Sequence, residues 1–412
     1  MKVAIIGGGA AGMMAAATIN EESPETEVFL IEKNDSLGKK VIISGGGRCN
    51  VTTGFEDPKT VLENYPRGSK FLISAMHHFP PLAVRAWFEA HGVPLKCEKD
   101  MRVFPVSNNG HDVVGVFNHF FEKNNTKLLF KHAANKIEKT EAGFLINFND
   151  KPSLLVDKVV LSLGGQAYRQ TGSNGDGYTL AELLGHTVTE LVPSLHSFIT
   201  TEKWPGTLAG MSFVRATITA DCDKPNSRTG PFLFTHSGIS GPTVFAVSAL
   251  AAFSSVGQKK PLKIFIDFLP DITVEEVTKT LQMVAKNNPK KIFKNTLHHF
   301  LPLNLCEALC EYSQIFSHKK NAEVSKAEFF WAAALLKKVP LVAIGRGSGD
   351  EFVTAGGVEL AEIDPKTMES KICPGLYFAG EIMNIDGFTG GFNLQASWAT
   401  GRAAGTAIAQ GY

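Results

Sequence analysis

The sequence predicts an α/β fold. A parallel-sheet domain is split between the two ends of the chain, and a β-rich, barrel-like insert with a small helical subdomain interrupts it. Three observations lead there. A strand–glycine–helix pattern opens the chain at residues 3–19, and a second closes it at residues 375–409. Between them, residues 191–355 read first as short strands and then as a mostly helical stretch. A chain of 412 residues also suits two or three domains better than one. The expected divisions are 1–190 and 356–412 for the split domain and 191–355 for the insert, with its helical part at about 273–338.

The opening element is the most informative. Val3–Ile6 is a short apolar run, as a fully buried parallel strand requires. Gly7-x-Gly9-x-x-Gly12 follows at once, and the helix-favouring stretch Met13–Ile19 follows that. Val28–Ile31 reads as a second strand and ends at Glu32, 20 residues beyond Gly12. Strand, glycines, helix, second strand and acid in this order are the fingerprint of a Rossmann-like dinucleotide site. Gly7 permits the tight turn, Gly9 lets backbone approach a pyrophosphate, and Gly12 lets the helix lie close to the sheet. The N–H groups around Ala10 and Ala11 and the helix dipole attract the anion. Glu32 accepts hydrogen bonds from ribose hydroxyls and repels a 2′-phosphate; Lys33 beside it belongs to the same set.

Residues 38–50 read GKKVIISGGGRCN. Three consecutive glycines, Gly45, Gly46 and Gly47, suit a loop whose backbone passes close to a ligand. Lys39, Lys40 and Arg48 add positive charge, and Ser44 and Asn50 flank the glycines. Cys49 stands alone there, the next cysteine being Cys97, so a dithiol relay is not expected. A packed or cofactor-adjacent thiol fits better, with Cys49 kept as a candidate catalytic residue.

At the other end, Leu376–Ala379 reads as a buried strand, followed by Gly380 and Glu381. Asp386, Gly387, Gly390 and Gly391 then precede an Ala-rich helical stretch at 396–409. One nucleotide cradle needs no second unit of this kind, whereas FAD is long enough to need two. Glu381 is expected at the ribityl hydroxyls. The helix start near Gly390, Gly391, Phe392 and Asn393, with Ala396 one turn on, is expected to aim its N–H groups at the flavin ring.

Taken together, GGGAAG (7–12), GKKVIISGGGRCN (38–50), TGSNGDGY (171–178), LFTHSGISGP (233–242), VTAGGV (353–358), DPKTMESK (364–371) and GLYFAGE with DGFTGGFNLQ (375–395) resemble the BaiN-like flavoproteins. That family includes proteins described as aminoacetone oxidases, and others that reduce steroid double bonds. The resemblance implies an FAD domain split by an insert, adenine contact by the backbone at Ala134, and a cofactor-side turn at Gly164–Gly165. The chain departs from the family in having Asn384 where an Asp is common, while Asp386 remains, and Ser162-Leu163 ahead of the glycine pair.

Within the insert, Phe213–Ala220 and Lys263–Phe268 read as strands, and 273–338 as helices broken at Pro289 and Pro302. The polar loop at 232–245 brings His236, Ser237 and Ser240 forward, with His236 as a candidate proton donor. The His77–His78 and His298–His299 pairs lack a ligand constellation, and no metal is expected. Cys306 and Cys310 sit four apart in a helical stretch and read as packing. GRGSG at 345–349 has the wrong spacing for a second nucleotide site. NADPH or NADH is therefore expected only as a transient donor without its own cradle.

Lys plus Arg number 41 and Asp plus Glu 40. The charge of +1 gives no broad reason for nucleic-acid or membrane binding. Glycines interrupt the first apolar run, against a signal peptide, and no 18-residue apolar stretch occurs. Six scattered cysteines suggest no disulfide framework, so a cytoplasmic protein is expected. The leading reading is an FAD-dependent oxidoreductase passing hydride between flavin N5 and a small or medium organic substrate, its direction open. The alternatives are a flavoprotein acting on nucleic acid through its lysine pairs (259–260, 290–291, 319–320, 337–338) and a flavin-binding sensor without turnover. Oligomeric state is not legible.

Overall fold

A computed structural model describes residues 1–124, 126–222, 226–314, 318–347 and 352–411. The chain divides into two compact units, Met1–Ser194 with Phe352–Tyr412, and Leu195–Glu351.

The first unit is built on a five-stranded, all-parallel sheet. Its order is Leu376–Phe378, Lys158–Leu161, Lys2–Ile6, Glu27–Glu32, Thr126–Phe130. Val3 to Ile6 are buried on both faces, which is why this strand reads as continuous apolar sequence rather than alternation. The chain leaves the opening strand toward one side of the sheet and later returns on the other. The carboxyl end of the opening strand is therefore a topological switch point, the usual place for a ligand crevice in such sheets.

The two chain ends are joined by helix packing. The opening helix, Ala10–Glu22, lies against the closing helix, Phe392–Ala409. Both are rich in Ala and Gly, so their backbones approach closely. A Cβ on Gly401 would fall on the Ala11 carbonyl, and one on Gly405 would lie 2.8 Å from the Ala15 carbonyl oxygen. The Trp398 indole is fully buried, donates to the Val51 carbonyl at 2.9 Å and stacks on Phe117. Smaller antiparallel sheets complete the unit: Ala134–Thr140 with Gly143–Phe148 and Leu154–Val156, and Thr52–Thr53 with Arg102–Pro105 and Leu95–Cys97.

Val192–Ser194 and Val353–Ala355 were expected inside the insert. They pair with each other, antiparallel, in the first unit. Sequence pattern does not reveal which unit supplies a strand's partner.

The second unit is a closed antiparallel barrel. Its strands run Phe198–Thr200, Gly238–Ser240, Asn226–Thr235, Ser212–Asp221, Leu262–Asp267 and Val339–Arg346, which pairs back to the first. The helices Val274–Lys286, Lys294–Leu297, Leu303–Ser313 and Lys326–Lys337 form the helical part. Two begin in capping boxes, Thr273 with Glu276 and Ser325 with Glu328. Pro302 sits just ahead of the helix that starts at Leu303, a position that needs no helical N–H. Phe232, Phe234, Ile264, Ile266, Leu281 and Leu305 form one continuous core with both cysteines of that helix. Burial pushes the thiols of Cys306 and Cys310 up to about 12 and about 11, so both stay protonated packing groups. Among the described residues, no helix is long and apolar enough to cross a membrane.

Candidate cofactor site

The opening turn has room in front of it. The Gly7 N–H is held by the Ile31 carbonyl at 2.9 Å, which fixes the chain as it leaves the strand. A Cβ on Gly12 would fall on the Gly7 carbonyl and lie 2.6 Å from Ser162 Oγ, so the helix starts in contact with the sheet. A Cβ on Gly9 would meet nothing within 4 Å. Gly9 is also the helix N-cap, and no side chain caps the helix. Free N–H groups, the positive end of a 13-residue helix and open space therefore coincide.

Glu32 ends the second strand, buried. One carboxylate oxygen accepts from Gly8 N at 2.9 Å, the other from Asn34 N and Nδ2 at 2.8 Å each. These bonds hold the carboxylate beside the glycine turn.

The cations of the second glycine cluster, Lys39, Lys40 and Arg48, each have an acidic partner. Lys39 pairs with Asp35 at 2.9 Å, and Arg48 pairs with Glu98 while lying 3.7 Å from the Phe104 ring centre. Lys33 bridges Asn174 and Asp176, each at 2.7 Å. Lys40 Nζ meets Glu381 Oε2 at 2.7 Å, and the other Glu381 oxygen accepts from Thr354 N at 2.9 Å. A Cβ on Gly165 would lie 2.9 Å from Glu381 Oε1 and 2.5 Å from Thr354 Oγ1. Four distant segments thus converge on one carboxylate: the Lys39–Ile43 helix, the Gly164–Gly165 turn, the strand around Thr354, and Glu381 itself. Gly46 and Gly47 face open space, as Gly9 does, whereas a Cβ on Gly45 would meet Phe104 and Asn50.

Several residues of the sequence set are structural. Asn50 is buried with Oδ1 accepting from Val103 N at 3.1 Å, and Ser44 Oγ donates to the Val41 carbonyl. Cys49 is fully buried, and burial pushes its thiol up to about 12. A neutral, enclosed thiol is a packing group rather than a nucleophile. Asp386 is fully buried in a two-point pair with Arg67 and accepts from Ser194 Oγ at 2.8 Å. Burial raises its carboxyl and the Arg67 guanidinium opposes that. Its oxygens are spent on that anchor.

Asn393 braces the closing turn by accepting from Gly387 N and donating to Gly387 O, both at 2.8 Å. Gly391, at φ +93°, is the N-cap of the closing helix, and a Cβ there would fall on the Thr52 carbonyl. The Phe392 carbonyl accepts from the buried Tyr65 hydroxyl at 2.6 Å. Gly380 lies against Ala11, which brings the opening helix to the closing turn; Ala396 is buried behind it. Gly390 stands beside the Phe392 ring. Ala134 begins the strand paired to Phe148.

His236 lies in the second unit, exposed on the turn between the strands ending at Thr235 and starting at Gly238. Ser348 and Gly349 of the GRGSG run lie outside the described residues. Sequence reasoning passed over Arg67, Thr354 and Tyr178. Tyr178 is 4% exposed, its hydroxyl has no hydrogen-bond partner, and burial together with Glu381 pushes the phenol up. A signal for it was present in TGSNGDGY; Arg67 had none.

The residues present fit FAD. The open backbone at Gly9, Gly46 and Gly47, two uncapped helix starts and the unpartnered Tyr178 hydroxyl beside Glu381 provide donors and space for a long, anionic dinucleotide. Gly9 and its helix start would hold the pyrophosphate, Glu32 the adenosine ribose, and Tyr178 with the Lys40–Glu381 pair the middle of the molecule.

Residues 1–407 match the family described as HI0933-like protein Rossmann domain. The chain is 29% identical over 412 residues to a 3-dehydro-bile acid delta(4,6)-reductase of Clostridium scindens, covering 99% of each chain. It is 30% identical over 405 residues to a ribosomal RNA dihydrouridine synthase of Escherichia coli, covering 96% of this chain and 95% of that one. A Haemophilus influenzae protein of the same description is 29% identical over 414 residues, covering 98% of each chain. Among solved structures, an E. coli quinol fumarate reductase FrdA chain superimposes with a TM-score of 0.51 at 14% identity, covering all of this chain and 70% of that one, a likeness of fold. With the cofactor cradle on the page and the match running through both units, the chain belongs to the HI0933-like family of FAD-dependent oxidoreductases.

Proposed function

We propose that this enzyme reduces a carbon–carbon double bond conjugated to a carbonyl. One observation carries the reading. Two relatives that match the chain nearly end to end act on chemically remote molecules, a bile acid and ribosomal RNA, yet both names describe saturation of a C=C bond next to a C=O. Uridine becomes dihydrouridine by that same change at its ring. A scaffold that serves both needs only to place such a bond against a hydride source and to supply one proton.

When bound, FAD would supply the hydride-transfer chemistry. The chain's own residues do the rest. The Gly9 helix start balances phosphate charge, and Glu32 orients the adenosine end. The Lys40–Glu381–Thr354 network and the Tyr178 hydroxyl fix the middle of the molecule against rotation. The N-terminus of the closing helix favours negative charge near it. His236, the proton donor expected from the sequence, lies on an exposed turn of the second unit, and its part in turnover is read by the substitution below. A nicotinamide donor fits as a visitor, because the described residues form a single glycine cradle of the dinucleotide kind.

The test uses FAD-loaded enzyme, chemically reduced without air and mixed with a 3-keto-4-ene steroid, with a uridine-containing ribosomal RNA fragment, or with aminoacetone. Rapid flavin reoxidation by the first or second, with product heavier by two hydrogens, is expected. Reoxidation by air alone, with oxidised enzyme bleached by aminoacetone, would make it an amine oxidase and end the proposal. The same assay on His236→Ala reads the proton assignment: turnover at the wild-type rate removes it.

A further inference from the structure

We propose that the helical part of the second unit carries an RNA phosphate-binding face formed by Lys286, Lys290, Lys291 and Lys320, with Trp331 beside it as a base-stacking platform. The inference deepens the proposed function by naming what carries the reducible ring.

The near-neutral total conceals an asymmetry. Residues 195–351 hold 18 Lys and Arg against 13 Asp and Glu, a net +5, while the rest of the chain holds 23 against 27, a net −4. Within the positive unit, tertiary structure concentrates the charge. Lys286 closes a helix, and Lys290 and Lys291 follow it. Some 30 residues later, Lys320 is brought back by an antiparallel bridge to Ile292, with Phe293 N donating to Lys319 O and Asn321 N to Lys291 O, both at 2.9 Å. Two lysine pairs distant in sequence thus become neighbours.

The Glu323 carboxylate accepts from Lys320 N at 2.9 Å, and two further acids of this part are engaged by other lysines. Glu307 pairs with Lys294 at 2.7 Å, and Glu328 pairs with Lys319. Among the described residues, no carboxylate pairs with Lys286, Lys290, Lys291 or Lys320, and all four are exposed. Trp331 lies one helical turn beyond Glu328, on the same face, and is 59% exposed next to Phe330 at 47%. A large exposed aromatic on the helix that Glu328 ties to Lys319, next in sequence to Lys320, matches an unpaired nucleic-acid strand, whose phosphates need cations and whose bases need a flat partner.

The experiment measures anisotropy of a labelled, uridine-containing RNA hairpin against the full-length FAD-loaded protein over a salt series. The triple variant K290E/K291E/K320E is expected to bind about 30-fold more weakly, with its salt dependence reduced by about 2 to 3 in slope. W331A is expected to bind about tenfold more weakly with the slope unchanged. Both should keep the flavin spectrum and reoxidation by a small conjugated enone, so a dead enzyme is distinguishable from a lost RNA face. Equal affinity and slope in the triple variant would overturn the proposal. So would a W331A protein that changes from dimer to monomer while binding RNA as before, since the face would then join two copies of this chain.

Discussion

The two units solve opposite problems with opposite material. The first keeps space: glycines with nothing opposite them, helix starts without caps, and a charged pair, Arg67–Asp386, sealed inside to anchor the closing turn. The second fills space: phenylalanines and aliphatic side chains close a barrel around a continuous apolar core. A unit that binds an anion by backbone needs few cations: Lys33, Lys39 and Lys40 beside its glycines are paired, and its net charge is negative. In the second unit Lys294, Lys319 and Lys337 are paired with carboxylates, while Lys286, Lys290, Lys291 and Lys320 form no ion pair among the described residues. The charge of +1 for the whole chain is the sum of a net +5 in residues 195–351 and a net −4 in the rest.

The largest expected break separates two glycines three residues apart. Gly12→Ala drives a methyl into the Gly7 carbonyl and should destabilise the first unit by about 4 kcal/mol, at the severe end for one substitution. Gly9→Glu meets open space, so it should fold as wild type, within about 0.5 kcal/mol in urea unfolding without cofactor, yet purify colourless. A yellow Gly9→Glu protein would move the pyrophosphate away from this turn.

The next contrast is between buried polar groups. Arg67→Ala leaves the fully buried Asp386 without its partner and should cost about 3 kcal/mol, read as an earlier unfolding transition. A midpoint equal to wild type would mean that the closing turn does not depend on this pair.

The second unit's counterpart is smaller and pH-dependent. His196 is buried with Nδ1 against the Ser197 carbonyl, and burial pushes it down to about 4. Its folded value lies below the unfolded one, near 6.5, so the unfolded chain binds more protons between them. Stability is fully present above pH 6.5 and is lost as pH falls toward 4, on the order of 2 kcal/mol. Urea titrations at pH 7 and pH 5 should show the drop, and His196→Asn should flatten it. An unchanged drop in that variant would assign the effect to other groups, such as His186, also held low by burial.

The opening cradle was legible because each step of its chemistry demands a residue type at a fixed spacing: no side chain at Gly9 and Gly12, an acid after the second strand. The closing unit was legible for the same reason. The charge of the cations beside those glycines was legible but their partners were not: Asp35, Glu381 and Glu98 lie 4, 341 and 50 residues away from Lys39, Lys40 and Arg48. The helical insert was legible by its period and prolines. The barrel-like character of its strands was legible too, but not which strands close it: that depends on Val339–Arg346 finding Phe198–Thr200 across 139 residues.

By itself, then, the sequence determined the local devices: where the backbone must be bare, where helices start and stop, and which runs are buried on both faces. Tertiary structure decided the pairings. It set Lys40 on Glu381, Arg67 on Asp386, Tyr178 without a partner near Glu381, and Lys320 beside Lys291. Local conformation follows from steric limits within a few residues. Which distant groups meet depends on how the sheets and helices pack, and there burial and electrostatics over hundreds of residues make the choice.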